Sequence, residues 1–151
     1  MKRDMDLVRD LLIKIADSDS PPTFSKLVPG RKDGTSEYAV AAYHMRMLVE
    51  DAGFVRGIDY RSSSGDEWLS LELTWQGQDF LENVRDPVVW KKTKDGLQKV
   101  GGASWDLIRD LGKAYAKLKM KEVSHVGISH RNKLHGRRSV RRGFNKGPVN
   151  V

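Results

Sequence analysis

The sequence predicts an α+β protein in which a helix over 35–52 runs through Gly53 into a two-stranded β-ribbon over 54–74. Three observations carry that reading. Val40, Tyr43, Met47 and Leu48 recur at helical spacing, with Ala39 and Ala41 between them. Gly53 stands where that spacing stops, and glycine is the residue that most readily ends a helix in left-handed backbone. Beyond it, Leu69, Leu71 and Leu73 alternate with Trp68, Ser70 and Glu72, as in a strand with one buried face. A helix delivered directly into a ribbon is how a winged helix-turn-helix-like domain presents its recognition helix and its wing. Extra C-terminal helices and a basic tail complete the chain.

The elements follow in order. Over 4–17, Leu7, Leu11 and Ile15 recur at i, i+4, i+8, with Val8 and Leu12 widening the stripe. Asp4 and Asp6 fall in the first turn, where the helix dipole favours negative charge. Pro21 and Pro22 cannot continue that helix. The short, partly apolar run from Thr23 to Val28 reads as a brief strand, and PGRKDG at 29–34 as a loop. Thr35 or Ser36 caps the central helix. The ribbon pairs 54–61 with the Leu69–Leu73 run around an SSSGDE tip, where Gly65 allows the turn. A helix starting at Thr74 turns Phe80, Leu81 and Val84 inward. Trp75 reads as a second core aromatic there, and Gly77 as a point of close packing. Residues 88–100 carry Val89, Trp90 and Leu97. The last helix, 104–120, opens on a Ser104 cap and lines up Trp105, Ile108, Leu111, Tyr115 and Leu118. That stripe suits core packing or a homodimer interface. The expected organisation is a winged-helix domain at 1–86, a helical extension at 87–120, and a flexible basic tail at 121–151.

Charge is unevenly placed. Residues 121–151 hold eight Lys/Arg against Glu122 alone, whereas 1–120 hold 19 basic and 19 acidic residues. The pI of 9.7 therefore describes the tail. The absence of cysteine excludes disulfides, thiolate zinc sites and a catalytic thiol. No apolar run reaches the ~18 residues of a membrane span. Asp4, Asp6 and Asp10 interrupt the stretch that a signal peptide would keep apolar. A soluble, cytoplasmic protein is expected.

No phosphate loop, nucleophile elbow, His-Glu-x-x-His or dinucleotide fingerprint is present, so no enzyme and no cofactor are expected. His125, His130 and His135 recur every five residues with only Glu122 near them, too few donors for a metal site. The candidate nucleic-acid-binding residues are His44 and Arg46 on the helix and Arg56 and Arg61 on the ribbon. In the tail they are Arg131, Lys133, Arg137, Arg138, Arg141 and Arg142, each able to neutralise a phosphate. Against the helix stand Glu37, Glu50 and Asp51, and against the wing Asp59, Asp66 and Glu67. An alternative reading has the helix only packing, with His44 bonded to backbone. The expected partner is DNA or RNA, gripped by the tail and oriented by the winged helix, as in a regulator. The alternative is a protein–protein adaptor that binds no nucleic acid.

Motifs add a resemblance. YHMRMLVEDAGFV at 43–55 resembles the recognition-helix-to-wing junction of winged-helix regulators. MKRDMDLVRDLL, AAYHMRMLVEDAGFV and LTWQGQDFLENVRDPVVWKK together are similar to a domain-of-unknown-function family of bacterial and phage proteins over roughly residues 1–118. The resemblance implies winged-helix character and a phage or prophage setting, and it carries over no catalytic or binding residue. Two departures are the basic tail beyond the last helix and PGRKDG, which shortens the helix before the recognition helix.

Overall fold

The computed structural model describes residues 1–28, 36–63, 65–101 and 104–135. Its architecture is α+β. Among the described residues, six α-helices and one two-stranded antiparallel sheet run in the order α1 (Met5–Ala16), α2 (Phe24–Leu27), α3 (Ser36–Arg46), β1 (Val55–Ser62), β2 (Gly65–Leu73), α4 (Trp75–Val84), α5 (Pro87–Val100) and α6 (Trp105–His135). The chain divides into two units, Met1–Ala116 and Lys117–Val151.

α1 starts where its sequence says it should. The Asp4 carboxylate accepts the N–H groups of Asp6 and Leu7 at 3.0 and 3.1 Å, which satisfies two otherwise orphaned donors. Val8, Leu11, Leu12 and Ile15 then face the core. The brief strand expected over 23–28 is instead one turn of helix, α2. Phe24 and Leu27 both point inward. Three residues apart, they share a face in a helix and would lie on opposite faces of a strand. One sheet-like contact survives just before α2, a hydrogen bond of 2.9 Å from the Leu71 N–H to the Pro22 carbonyl. It covers the edge of β2, so β1 forms the outer edge of the ribbon.

The central helix also departs from expectation. α3 gives way at Met47–Asp51 to a π-turn, in which the Ala52 N–H reaches back five residues to Met47 O at 2.8 Å. Gly53 follows at φ +62, the left-handed stop. The Thr74 hydroxyl donates to Gly53 O at 2.6 Å and accepts the Gly77 N–H at 3.1 Å, clasping the helix-to-ribbon junction to the start of α4.

The ribbon does not keep the simple alternation of Leu69, Leu71 and Leu73. Arg56 faces Glu72 but Ile58 faces Leu69, so β2 carries an extra residue between them. Ser70 absorbs it at φ +52. The bulge resets the phase of the strand, burying Trp68 and Leu71 while Leu69 and Leu73 are only partly covered. Trp68, expected on the outer face, packs edge-on against Phe24 at 5.2 Å. Gly57 lies opposite the bulge, where a Cβ would meet a Leu71 methyl at 2.9 Å.

α4 packs through Gly77, Phe80, Leu81 and Val84. A Cβ on Gly77 would lie 2.0 Å from Phe54 O. Phe54 stacks on Phe80 at 4.7 Å and meets Trp105 of α6 at 5.3 Å, so the helix-to-ribbon junction, α4 and α6 share one aromatic cluster. Trp75 is not in it. About 200° around the helix from Gly77, it faces away from the core and is 88% exposed.

α5 is capped by Asp86, begins on Pro87 and ends at Gly101 with φ +75. Its Gly96 approaches Leu111 and Tyr115 of α6. Ser104 caps α6 through the Leu107 N–H at 3.2 Å. The expected end near residue 120 is passed, and the helix continues to His135. Lys121–His135 contains no proline and a single glycine, Gly127, so nothing in it compels a stop. Residues 136–151, and with them the end of the expected flexible tail, lie outside the described residues. The stripe read as suiting core packing or a homodimer interface contributes in part to the core of the body. Ile108 is fully buried, Trp105, Leu111 and Tyr115 are partly covered, and Leu118 stays exposed.

Candidate nucleic-acid interface

Helix α3 and the ribbon position four of the candidate residues, and the structure removes one of them from any surface. His44 is completely buried. Its Nε2 accepts the Asp4 N–H at 2.7 Å. A backbone amide can only donate, so Nδ1 carries the ring proton and donates it to Val40 O at 2.7 Å. The imidazole thus ties the cap of α1 to α3, and neither nitrogen is available to a base edge or phosphate. This corrects His44 as a candidate nucleic-acid contact and agrees with the alternative in which its side chain is bonded to backbone.

Arg46 does reach the surface, but toward the ribbon. It makes a hydrogen-bonded ion pair with Asp66, approaches Glu50 at 3.5 Å and lies 5.8 Å over the Trp68 ring. The hydrogen bond to Asp66 raises the pKa of the guanidinium above its ordinary value. Arg56 pairs across the ribbon with Glu72 at 2.7 Å, and Arg61 with Asp59 at 3.2 Å. Each candidate arginine of the body therefore faces a carboxylate. A phosphate arriving there would have to displace that partner or share it.

The C-terminal candidates divide. Arg131 and Lys133 lie on α6, whereas Arg137, Arg138, Arg141 and Arg142 lie outside the described residues. Reasoning from sequence missed a group just before them. Lys117 and Lys121 sit one helical turn apart on α6, with Lys119 between them. Counting charge from residue 121 had assigned Lys117 and Lys119 to the body. The boundary at Lys117 gives 17 basic and 19 acidic residues in Met1–Ala116, a net of −2, and 10 basic against Glu122 in Lys117–Val151, a net of +9. The four-residue spacing of Lys113, Lys117 and Lys121 was the signal that could have found this.

Among the described residues, no group of His, Asp and Glu side chains is arranged to hold a metal ion. No described helix is long and apolar enough to cross a membrane.

The architecture defines an α+β protein whose helix-to-ribbon order is compatible with a winged-helix arrangement. By comparison with known proteins, the chain belongs to the DUF2513 family, described as hypothetical proteins, whose model matches residues 2–104. It is similar to an uncharacterized protein of Haemophilus influenzae, 34% identical over 117 residues that cover 78% of this chain and 93% of the relative. No solved structure matches it. The family match ends at residue 104, so α6 and the whole +9 unit lie beyond it.

Proposed function

We propose that α3 and the ribbon form a winged helix and that the protein binds nucleic acid, with phosphate gripped chiefly by the C-terminal unit. One observation carries this reading: ten basic residues and a single acid fall in Lys117–Val151, while the rest of the chain is slightly acidic. A block of like charge with so few counter-charges gathers condensed counterions from a polyanion and releases them on binding, a driving force independent of base sequence. The ion-paired arginines of the ribbon support an orienting role for the body rather than a gripping one. DNA is the expected target, as for a regulator.

Salt dependence tests it. Full-length protein is titrated with a labelled DNA duplex over a range of salt concentrations. Replacing Lys117, Lys119 and Lys121 together by Gln should reduce the slope of log affinity against log salt by roughly 2–3. Arg46→Gln should leave the slope unchanged. If full-length protein binds neither duplex nor single strands at low salt, the reading fails and a protein-binding adaptor takes its place.

A further inference from the structure

Exposing an indole is costly, and three of the four tryptophans avoid it in one way. Arg46 lies over Trp68 at 5.8 Å, Arg9 and Lys94 over Trp90 at 5.9 and 5.8 Å, and Arg3 over Trp105 at 4.8 Å. Trp68 and Trp90 are buried and Trp105 is partly covered, and each ring faces a cation, whose charge its π-face attracts. Trp75 has the opposite surroundings. It is 88% exposed, and among the described residues no cation lies over it.

The phase of α4 sets what stands beside it. Trp75, Gln78, Asp79 and Glu82 share the outward face, and with Leu73 at the end of β2 they line an open groove of about 450 Å3. Among the described residues, no ion pair engages Asp79 or Glu82. The groove therefore offers an apolar wall, an uncovered π-face and two carboxylates without a described counter-charge. A nucleobase could stack on the ring, but the phosphates flanking it would be brought against both acids. A cationic side chain satisfies all three features at once, with its stem on Leu73 and Trp75, its charge over the indole and its N–H donors toward the carboxylates.

We propose that this groove docks a peptide segment of a partner protein that places an arginine or lysine over Trp75, with Asp79 and Glu82 as its counter-charges. This surface is separate from the phosphate-binding residues proposed above, and either assignment stands without the other.

The test uses full-length protein at low ionic strength and an acetylated, amidated peptide of three Gly-Arg repeats, with three Gly-Gln repeats as control. Binding is followed by calorimetry and by the indole N–H resonance of Trp75. The arginine peptide should bind saturably and move that resonance, and the glutamine peptide should do neither. Trp75→Ala should weaken binding about tenfold or more, Trp75→Phe less, and the Asp79→Asn/Glu82→Gln pair by about tenfold. These exposed substitutions should leave the thermal midpoint and the salt slope on duplex DNA unchanged. The proposal is overturned if Trp75→Ala binds the peptide as wild type does, if the glutamine peptide binds equally, or if no saturable binding occurs by millimolar peptide. It is also overturned if an oligonucleotide, rather than the peptide, moves the Trp75 resonance.

Discussion

Arg56 on the ribbon and Lys121 on α6 carry the same charge in opposite company. The first has Glu72 at 2.7 Å across the strand pair. The second belongs to a stretch of 35 residues holding one acid. The difference recurs throughout the two units. In the body, cations hold the fold together: Arg9 donates to Val84 O at 2.8 Å, Arg46 joins α3 to the ribbon and Lys94 joins α5 to α1. In the C-terminal unit, ten basic residues share the sequence with a single acid, Glu122. Basic residues cannot be counted as one population when a phosphate-binding surface is sought, because a guanidinium already facing a carboxylate adds little to the field.

A substitution in the body should therefore change stability and leave polyanion affinity alone, and one in the C-terminal unit should do the reverse. The largest effect is expected at Gly77. A methyl there would lie 2.0 Å from Phe54 O, a backbone atom that cannot rotate away. Gly77→Ala should cost more than about 3 kcal/mol in urea unfolding, while the folded fraction keeps its salt slope on DNA. His44 comes next. His44→Ala would leave the Asp4 N–H and Val40 O without their partner and open a cavity, for roughly 2–4 kcal/mol. A selective loss of DNA affinity in stable His44→Ala protein would break the comparison.

Neutralising the acids instead of the bases sharpens it. In an Asp59→Asn/Asp66→Asn/Glu72→Gln variant, Arg56 and Arg61 lose the carboxylates that face them and Arg46 keeps only Glu50, 3.5 Å away. If these acids are what keeps the ribbon from phosphate, duplex affinity should rise and the salt slope should steepen by about 1–2. An unchanged slope would mean that the ribbon never approaches nucleic acid, and would confine the contact to the C-terminal unit.

What could be read from the sequence was local. The stripes of α1, α4 and α5, the Gly53 stop and the Asp4 and Ser104 positions needed only neighbours within a turn or two. What escaped depended on residues far apart. His44 looks like a surface residue until Asp4, forty positions earlier, delivers its N–H. The pairing of Arg46 with Asp66 spans twenty. The bulge at Ser70 reversed the expected sides of Trp68 and Leu69, because period-two reasoning assumes that no residue is inserted. Trp75 is a different kind of miss. Its outward direction is implied by the phase of Gly77, Phe80, Leu81 and Val84, although an indole by residue type argues for burial. In the candidate interface, the helix, the ribbon, the C-terminal block and the opposing acids Glu50, Asp59 and Asp66 were legible, but which carboxylate pairs with which arginine was not.

The smallest effect concerns a charge that the body does use. Asp6 receives Lys94 Nζ at 2.9 and 3.0 Å and the Trp90 indole N–H at 2.7 Å. The hydrogen bond from Lys94 first, and that from Trp90 second, hold its carboxyl below the usual carboxylate pKa. The folded state therefore binds this proton less readily than the unfolded chain. The resulting stability is fully present above the ordinary carboxylate pKa and is lost as pH falls through the lowered folded value. Because the Asp6 side chain is 60% exposed, water screens the interaction and the contribution is small. Urea midpoints from neutral pH downward should show a shallower acid limb in Asp6→Asn than in wild type, the two curves converging at the acid end. Salt should shrink the gap between them at neutral pH, because the Asp6–Lys94 pair is exposed to screening. An acid limb identical in the two proteins would mean that the tie from α1 to α5 rests on the packing of Trp90 rather than on this charge.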